Sequence, residues 1–266
     1  MSDEKTGVSV DPSEAAATGT VIQLPAGIIK DGKVYKDAEV IPMTGLTRKA
    51  IAREDIRSSP HKITSVMILQ CLRRIGPLTN LSGKVLDEML VGDRDFLMLE
   101  IRRVSMGSDI NATVECEKCK NKIDVRFSID ELEVTKLKDG DYEMKDGVRV
   151  FRITNTEPRL DVLCRFPNGA DQQIMAPILS KNPVEAMFKL YSCCVLEWNG
   201  KAGPFDQKFF ENLPVSILDN FEGAFSDKLP GPILKQSVPC PVCTASIEFT
   251  FQGSDFFFRQ VKRGKT

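Results

Sequence analysis

The chain has 266 residues, enough to bury a substantial core in one or two domains. Its 36 Lys and Arg balance 37 Asp and Glu, with a single His, and the net charge of −1 argues against a protein built chiefly to grip phosphate backbones. No stretch has the order of a signal peptide and no apolar run approaches the 18 or so residues of a membrane span, which points to the cytoplasm, where cysteines stay reduced or bind metal.

Residues 1–19 are Ser, Asp, Glu, Thr, Gly and Ala without apolar periodicity, and are expected to form a disordered leader. Val21–Lys30 and Lys33–Ile41 then flank Asp31-Gly32, a pair suited to the positive φ angles of a tight hairpin. After Pro42 the spacing turns helical. Helices are predicted over Leu46 to about Ser58, Ile63–Ile75 and Val85–Leu90, with His61 in a loop between them. Gly92–Ser105 forms a further helix, with Asp93 and Asp95 as capping groups and Glu100 at the edge of its apolar face.

That helix leads into Asp109–Phe127, which reads strand, Cys116-x-x-Cys119 turn, strand, with Ile123, Val125 and Phe127 on one side. Ser128–Val134 is a connector. Asp141–Ile153 holds a second Asp-Gly turn between alternating runs, and Arg159–Phe166 adds a strand. Pro167–Gln173 is a turn leading into helices, of which Pro183–Trp198 is the clearest; Phe205–Asn212 and Pro214–Phe225 follow. Leu234–Phe251 repeats the strand, turn, strand pattern around Cys240-x-x-Cys243, with Ile247, Phe249 and Phe251 in alternation.

Two thiolates spaced by two residues grip one edge of a tetrahedron, so the two turns together supply the four sulfurs of a closed structural Zn²⁺ site: Cys116, Cys119, Cys240 and Cys243. The 120 residues between Cys119 and Cys240 far exceed ordinary zinc-ribbon spacing. Loop closure costs only about 0.6 kcal/mol per doubling of length, whereas a Cys₄ zinc site contributes about 10–16 kcal/mol in small peptides. Three alternatives stand beside this reading: each pair a separate redox-active dithiol, each pair an inert dithiol, and vestigial turns that bind nothing. A redox centre wants its first Cys at a helix N-terminus, and both pairs here lie between strands. Cys71, Cys164, Cys193 and Cys194 fall in apolar patterns and are expected in the core.

The fold class expected is therefore α+β: helical blocks and small antiparallel sheets joined by a composite zinc-ribbon-like unit. The divisions are a leader over 1–19, a hairpin with a helical block over 20–108, a first knuckle over 109–133, an inserted sheet with helices over 134–232, and a second knuckle with an aromatic segment over 233–266. Phe256, Phe257 and Phe258 either pack under the metal site or anchor a partner. No nucleophile elbow, phosphate-cradling loop or His-Glu-x-x-His motif is present, and a four-thiolate zinc has no open position, so no enzymatic activity is expected.

The order of features resembles a known family. Leu24-Pro-Ala-Gly27 precedes a helical block; Leu90–Leu99 runs into Ser105-Met-Gly107 and a Cys-x-x-Cys; then come Arg165-Phe-Pro-Asn-Gly-Ala-Asp171, Cys193-Cys-Val195, the second Cys-x-x-Cys and a closing aromatic segment. Together they are similar to the T-even phage baseplate hub assembly protein family, found also in prophages and contractile injection systems. The resemblance implies a non-enzymatic assembly chaperone whose partners are hub, spike or tape-measure proteins, with the four knuckle cysteines on the family's paired positions. It implies action in the bacterial or infected-host cytoplasm, or association with the virion. The rival reading is a zinc-ribbon nucleic-acid-binding protein, for which Lys118, Lys120, Lys122 and Arg126 offer a basic surface on the first turn only.

Overall fold

The computed structural model describes residues 19–57, 59–179 and 181–250. The expected leader, apart from Gly19, and the Phe256–Phe258 triplet lie outside the described residues.

The chain opens with the expected hairpin of β1 (Thr20–Lys30) and β2 (Lys33–Val40), turning at Asp31 and Gly32 with φ of 50° and 72°. Gly accepts that left-handed backbone without steric cost, which is why Asp-Gly turns hairpins tightly. Three helices follow: α1 (Gly45–Ile51), α2 (Glu54–Arg57) and α3 (Pro60–Cys71). The helix predicted to reach Ile75 stops at Cys71. Leu72–Ile75 is instead a strand, β3, which pairs with β2. Four residues span barely one helical turn, so periodicity cannot separate helix from strand there, and the open edge of β2 decides the matter by offering backbone partners. Next come α4 (Gly83–Glu88) and α5 (Val91–Met106), then the first knuckle hairpin of β4 (Asp109–Glu115) and β5 (Lys122–Ser128).

After a 3-10 turn and β6 (Val134–Thr135), the second half begins with β7 (Glu143–Lys145), β8 (Val148–Asn155) and β9 (Leu160–Arg165). Helices α6 (Gly169–Leu179) and α7 (Pro183–Cys194) lead to β10 (Val195–Trp198) and β11 (Lys201–Ala202). Then follow α8 (Gln207–Glu211), α9 (Val215–Asp227), β12 (Gly231–Pro232), and the second knuckle hairpin of β13 (Lys235–Pro239) and β14 (Ser246–Thr250). The helix predicted to reach Trp198 again ends early, at Cys194, and again becomes a strand. The Pro167–Gln173 segment read as a turn already enters α6 at Gly169. The architecture is mixed, with helices and small antiparallel sheets: β1-β2-β3, β11-β10-β9-β8-β7, and three two-stranded pairs.

The two halves are copies of one plan, displaced by 123 or 124 residues. Each is a hairpin, a 12-residue helix with Pro in its first turn and Cys at its end, a four-residue strand, a short helix, a long helix and a Cys-x-x-Cys hairpin. The match extends to register. Ala38↔Ile75, Glu39↔Arg74 and Val40↔Leu72, with an irregularity after Glu39, correspond to Val162↔Trp198, Leu163↔Glu197 and Cys164↔Val195, with one before Glu197. Gly76 N–H donates to Asp37 O at 2.7 Å, and Asn199 N–H to Asp161 O at the same distance. Both donors are left-handed, with φ of 51° and 48°. The first helices start alike: Thr44 N–H donates to Thr47 Oγ1 (3.3 Å), and Asn168 N–H to Asp171 Oδ2 (2.9 Å).

Equivalent positions are buried alike but filled differently. Ile68, Ile75, Leu86, Leu97 and Ile101 in the first repeat stand where Tyr191, Trp198, Phe210, Phe221 and Phe225 stand in the second, and all ten are buried. The first core is aliphatic; the second is a cluster of rings, with Tyr191 and Trp198 edge-on to Phe221 at 5.0 and 5.1 Å. The knuckle hairpins add a smaller apolar cluster of their own.

Candidate metal centre

Each knuckle is a strand pair whose turn points two sulfurs inward. Cys116 N–H donates to Asn121 O (2.9 Å) and Lys120 N–H to Cys116 O (2.7 Å); in the second turn Cys240 N–H donates to Ala245 O (2.8 Å) and Thr244 N–H to Cys240 O (2.9 Å). Lys120 and Thr244 are left-handed at φ 59° and 58°, an uncommon conformation for residues other than glycine. The bend turns backbone amides toward sulfur: those of Lys118 and Cys119 onto Cys116, and those of Val242 and Cys243 onto Cys240.

The turns meet although 120 residues separate them. Cys116 Sγ lies 3.6 Å from Cys243 Sγ, Cys119 Sγ lies 3.6 Å from Cys240 Sγ, and all four sulfurs fall within 4.8 Å of one another. The first cysteine of each turn faces the second of the other, so the arrangement has two-fold character. A tetrahedron with metal–sulfur bonds of about 2.3 Å has sulfur–sulfur edges of about 3.8 Å, whereas a disulfide needs about 2.05 Å. The cluster thus fits a metal ion and none of its pairs is a disulfide.

Val114 and Ile247 are buried beside Cys116 and Cys240, with Ile123, Val125, Val238 and Phe249 packed around them. Cys119 and Cys243 stay half-buried. Protonation follows the geometry. The Cys119 and Lys118 amides hold the Cys116 thiol below its ordinary range against burial. Burial pushes Cys240 up, but the Cys243 and Val242 amides and the adjacent thiols outweigh it and bring that group to about 6. Cys243 receives the Ala245 amide, yet burial and the crowding thiols of Cys116, Cys240 and Cys119 drive it to about 12. Four thiols this close cannot all ionise unless a cation stands among them.

Other cysteines are placed as the sequence suggested. Cys71, Cys164 and Cys194 are buried and Cys193 is partly so. Burial pushes Cys71 to about 11 and Cys164 to about 12, which leaves them as inert apolar groups. Neither knuckle cysteine pair stands at a helix N-terminus, the setting a redox dithiol uses.

Some assignments change. His61 is not in a loop but in the first turn of α3, with Nδ1 buried and without a partner among the described residues. Asp93 does not cap α5; its Oδ1 accepts the Ala26 amide at 2.8 Å and ties α5 to β1. Glu100 finds the partner it needs in Arg103, at 3.4 Å. Sequence reasoning passed over Arg94, which is fully buried and donates to Gln172 Oε1 (2.7 Å), Leu86 O (3.0 Å) and Ser65 Oγ (2.9 Å). A charged residue between Asp93 and Phe96 on a packing helix was the available signal.

A family model described as T4 bacteriophage base plate protein matches residues 51–259, most of the chain. The chain belongs to this family. Both Cys-x-x-Cys turns of this base plate protein lie inside the matched span, as do the second repeat and the first repeat from the end of α1 onward. No curated protein and no solved structure matches it. Among the described residues no helix is long and apolar enough to cross a membrane.

Proposed function

We propose that this base plate protein is a non-catalytic assembly factor for the central hub of a contractile phage tail or related injection system. In this reading the four cysteines hold one structural Zn²⁺ that clamps its two repeats into a rigid docking body. The observation that carries the proposal is the meeting of four sulfurs from turns 120 residues apart, in a chain of the base plate family. Cys116, Cys119, Cys240 and Cys243 would hold the ion, which when bound would offset half of the four thiolates' charge and have its coordination sphere filled by protein ligands. All four donors are cysteine, so a closed structural site is favoured over a catalytic one.

Two basic groups on the knuckle strands are matched by acids: Arg126 pairs with Asp109 at 2.5 Å and Lys235 with Glu248 at 2.7 Å. That pairing favours protein partners, namely hub, spike or tape-measure subunits met in the cytoplasm during tail assembly or retained with the virion. The test is co-expression of the hub subunits from the same phage with and without this chain, followed by sedimentation of the soluble fraction. Assembled hub only in its presence supports the proposal; equal assembly in its absence overturns it. Salt-sensitive shifting of DNA or RNA at moderate ionic strength, with no effect on hub yield, would instead support the nucleic-acid-binding reading.

A further inference from the structure

The repeats touch through a contact that has an unused counterpart. The start of α6 in the second repeat docks on the α4–α5 junction of the first. Val91 N–H donates to Pro167 O (3.0 Å), Gly169 N–H donates to Met89 O (2.9 Å), and Leu90 bridges Asn168. Gln173 Nε2 donates to Asp87 Oδ1 at 2.5 Å on the rim. The fit is close enough that a Cβ at Gly169 would lie 2.2 Å from Leu86 O.

Moving each partner to its equivalent in the other repeat exchanges the roles. The α6 start becomes Met43-Thr44-Gly45-Leu46, and the α4–α5 junction becomes Leu213-Pro214-Val215 before α9. Both segments fold as their counterparts do, since the caps at Thr44 and Asn168 match and the long helices start at Val91 and Val215. Among the described residues both are open: nothing lies within 4 Å of a Cβ at Gly45, where Gly169 is packed, and Leu46 and Val215 are 73% and 70% exposed. The rim pair Gln173 and Asp87 is replaced by Lys49 and Glu211, both exposed and of opposite charge.

We propose that a second copy of this chain occupies these surfaces. Met43–Leu46 of one copy seats on Leu213–Val215 of the next, with Lys49 against Glu211, and repeats between chains the contact that joins the halves within one. The two surfaces are different segments, so the association is heterologous: each copy keeps one free surface of each kind until the series closes or stops. The exposed apolar residues and the charge pair are the features such a contact would bury.

The experiment is sedimentation and light scattering of the zinc-loaded full chain over a concentration series. Masses rising above the 29.6 kDa of one chain are expected. Leu46→Asp and Val215→Asp alter exposed positions and should keep the wild-type melting profile while each weakens self-association by about tenfold or more. Mixing the two blocked variants should restore association as a heterodimer and nothing larger, because each retains the surface the other lacks. Lys49→Glu and Glu211→Lys should each weaken association, and the double reversal should recover it. A single-chain mass at every concentration, or blocked variants that associate as the wild type does, would overturn the proposal.

Discussion

The first repeat fills its core with Leu, Ile and Met and buries Asp93 and Arg94 on its long helix; the second builds the same frame around rings and carries apolar residues at those two helix positions. At the position of Arg94 the second repeat has Leu218, and at that of Asp93 it has Ile217. The strand registers, helix starts and knuckle turns are nonetheless the same. The fold therefore depends on where apolar residues recur and where Pro, Gly and Cys stand, while the identity of each core side chain sets only how the space is filled.

The knuckles are where the repeats are most alike, and disrupting them has the largest expected effect. Chelation of the metal, or Cys119→Ser or Cys240→Ser, is expected to cost several kcal/mol and to lower the melting temperature by about 10 °C or more. Either turn alone should be as damaging, because each supplies half the donors. Calorimetry checks this, and unchanged melting in both variants would count against a structural ion.

The two cores come next. Phe221→Ala is expected to cost about 3–5 kcal/mol and Leu97→Ala, at the equivalent position, about 2–5 kcal/mol. The ring site should give the larger loss, since Tyr191, Trp198 and Phe225 surround it and cannot all collapse into the space. Denaturant titration of both variants decides the order.

Arg94→Leu carries the second repeat's residue into the first. It leaves Leu86 O, Gln172 and Ser65 without their donor, and the expected loss is about 3 kcal/mol, given about 1–3 kcal/mol for each buried group left unpaired and partial relief from removing a buried charge. Arg94→Lys should not restore stability, because one ammonium cannot reproduce three divergent bonds. Full recovery in the lysine variant would show that charge, not the fork, matters there.

Asp93 gives the smallest and most pH-dependent effect. Burial pushes its carboxyl from 3.8 to about 6, against the Ala26 amide and the charges of Arg149 on β8 and Lys36 on β2. As pH rises, the unfolded chain releases this proton first, so the stability that the group contributes is full below about 3.8 and lost by about 6. Asp93→Asn keeps an acceptor for Ala26 and should abolish that decline, gaining on the order of 2 kcal/mol over wild type near neutral pH. Parallel pH profiles for the two proteins would contradict this.

Much of this was legible in the chain. Asp31-Gly32 announced the first hairpin, the helical spacing marked α5 and α7, and the paired cysteines with period-two strands marked both knuckles. The repetition beyond the knuckles was not, because core positions changed from aliphatic to aromatic and only a few markers persist, such as Pro60 with Pro183 and Cys71 with Cys194. β3 and β10 were read as helix ends because four residues carry too little periodicity, and only the sheet edge beside them settles their state. Arg94 was missed because its partners come from α3, α4 and α6, a convergence no local pattern encodes.

The most direct test of the clamp is elemental analysis of the purified chain together with alkylation of its thiols under native conditions. One zinc per chain is expected, with Cys116, Cys119, Cys240 and Cys243 all protected and all released together by a chelator. Stoichiometry of zero or two, or one turn reacting while the other stays protected, would contradict a single ion shared by the two repeats.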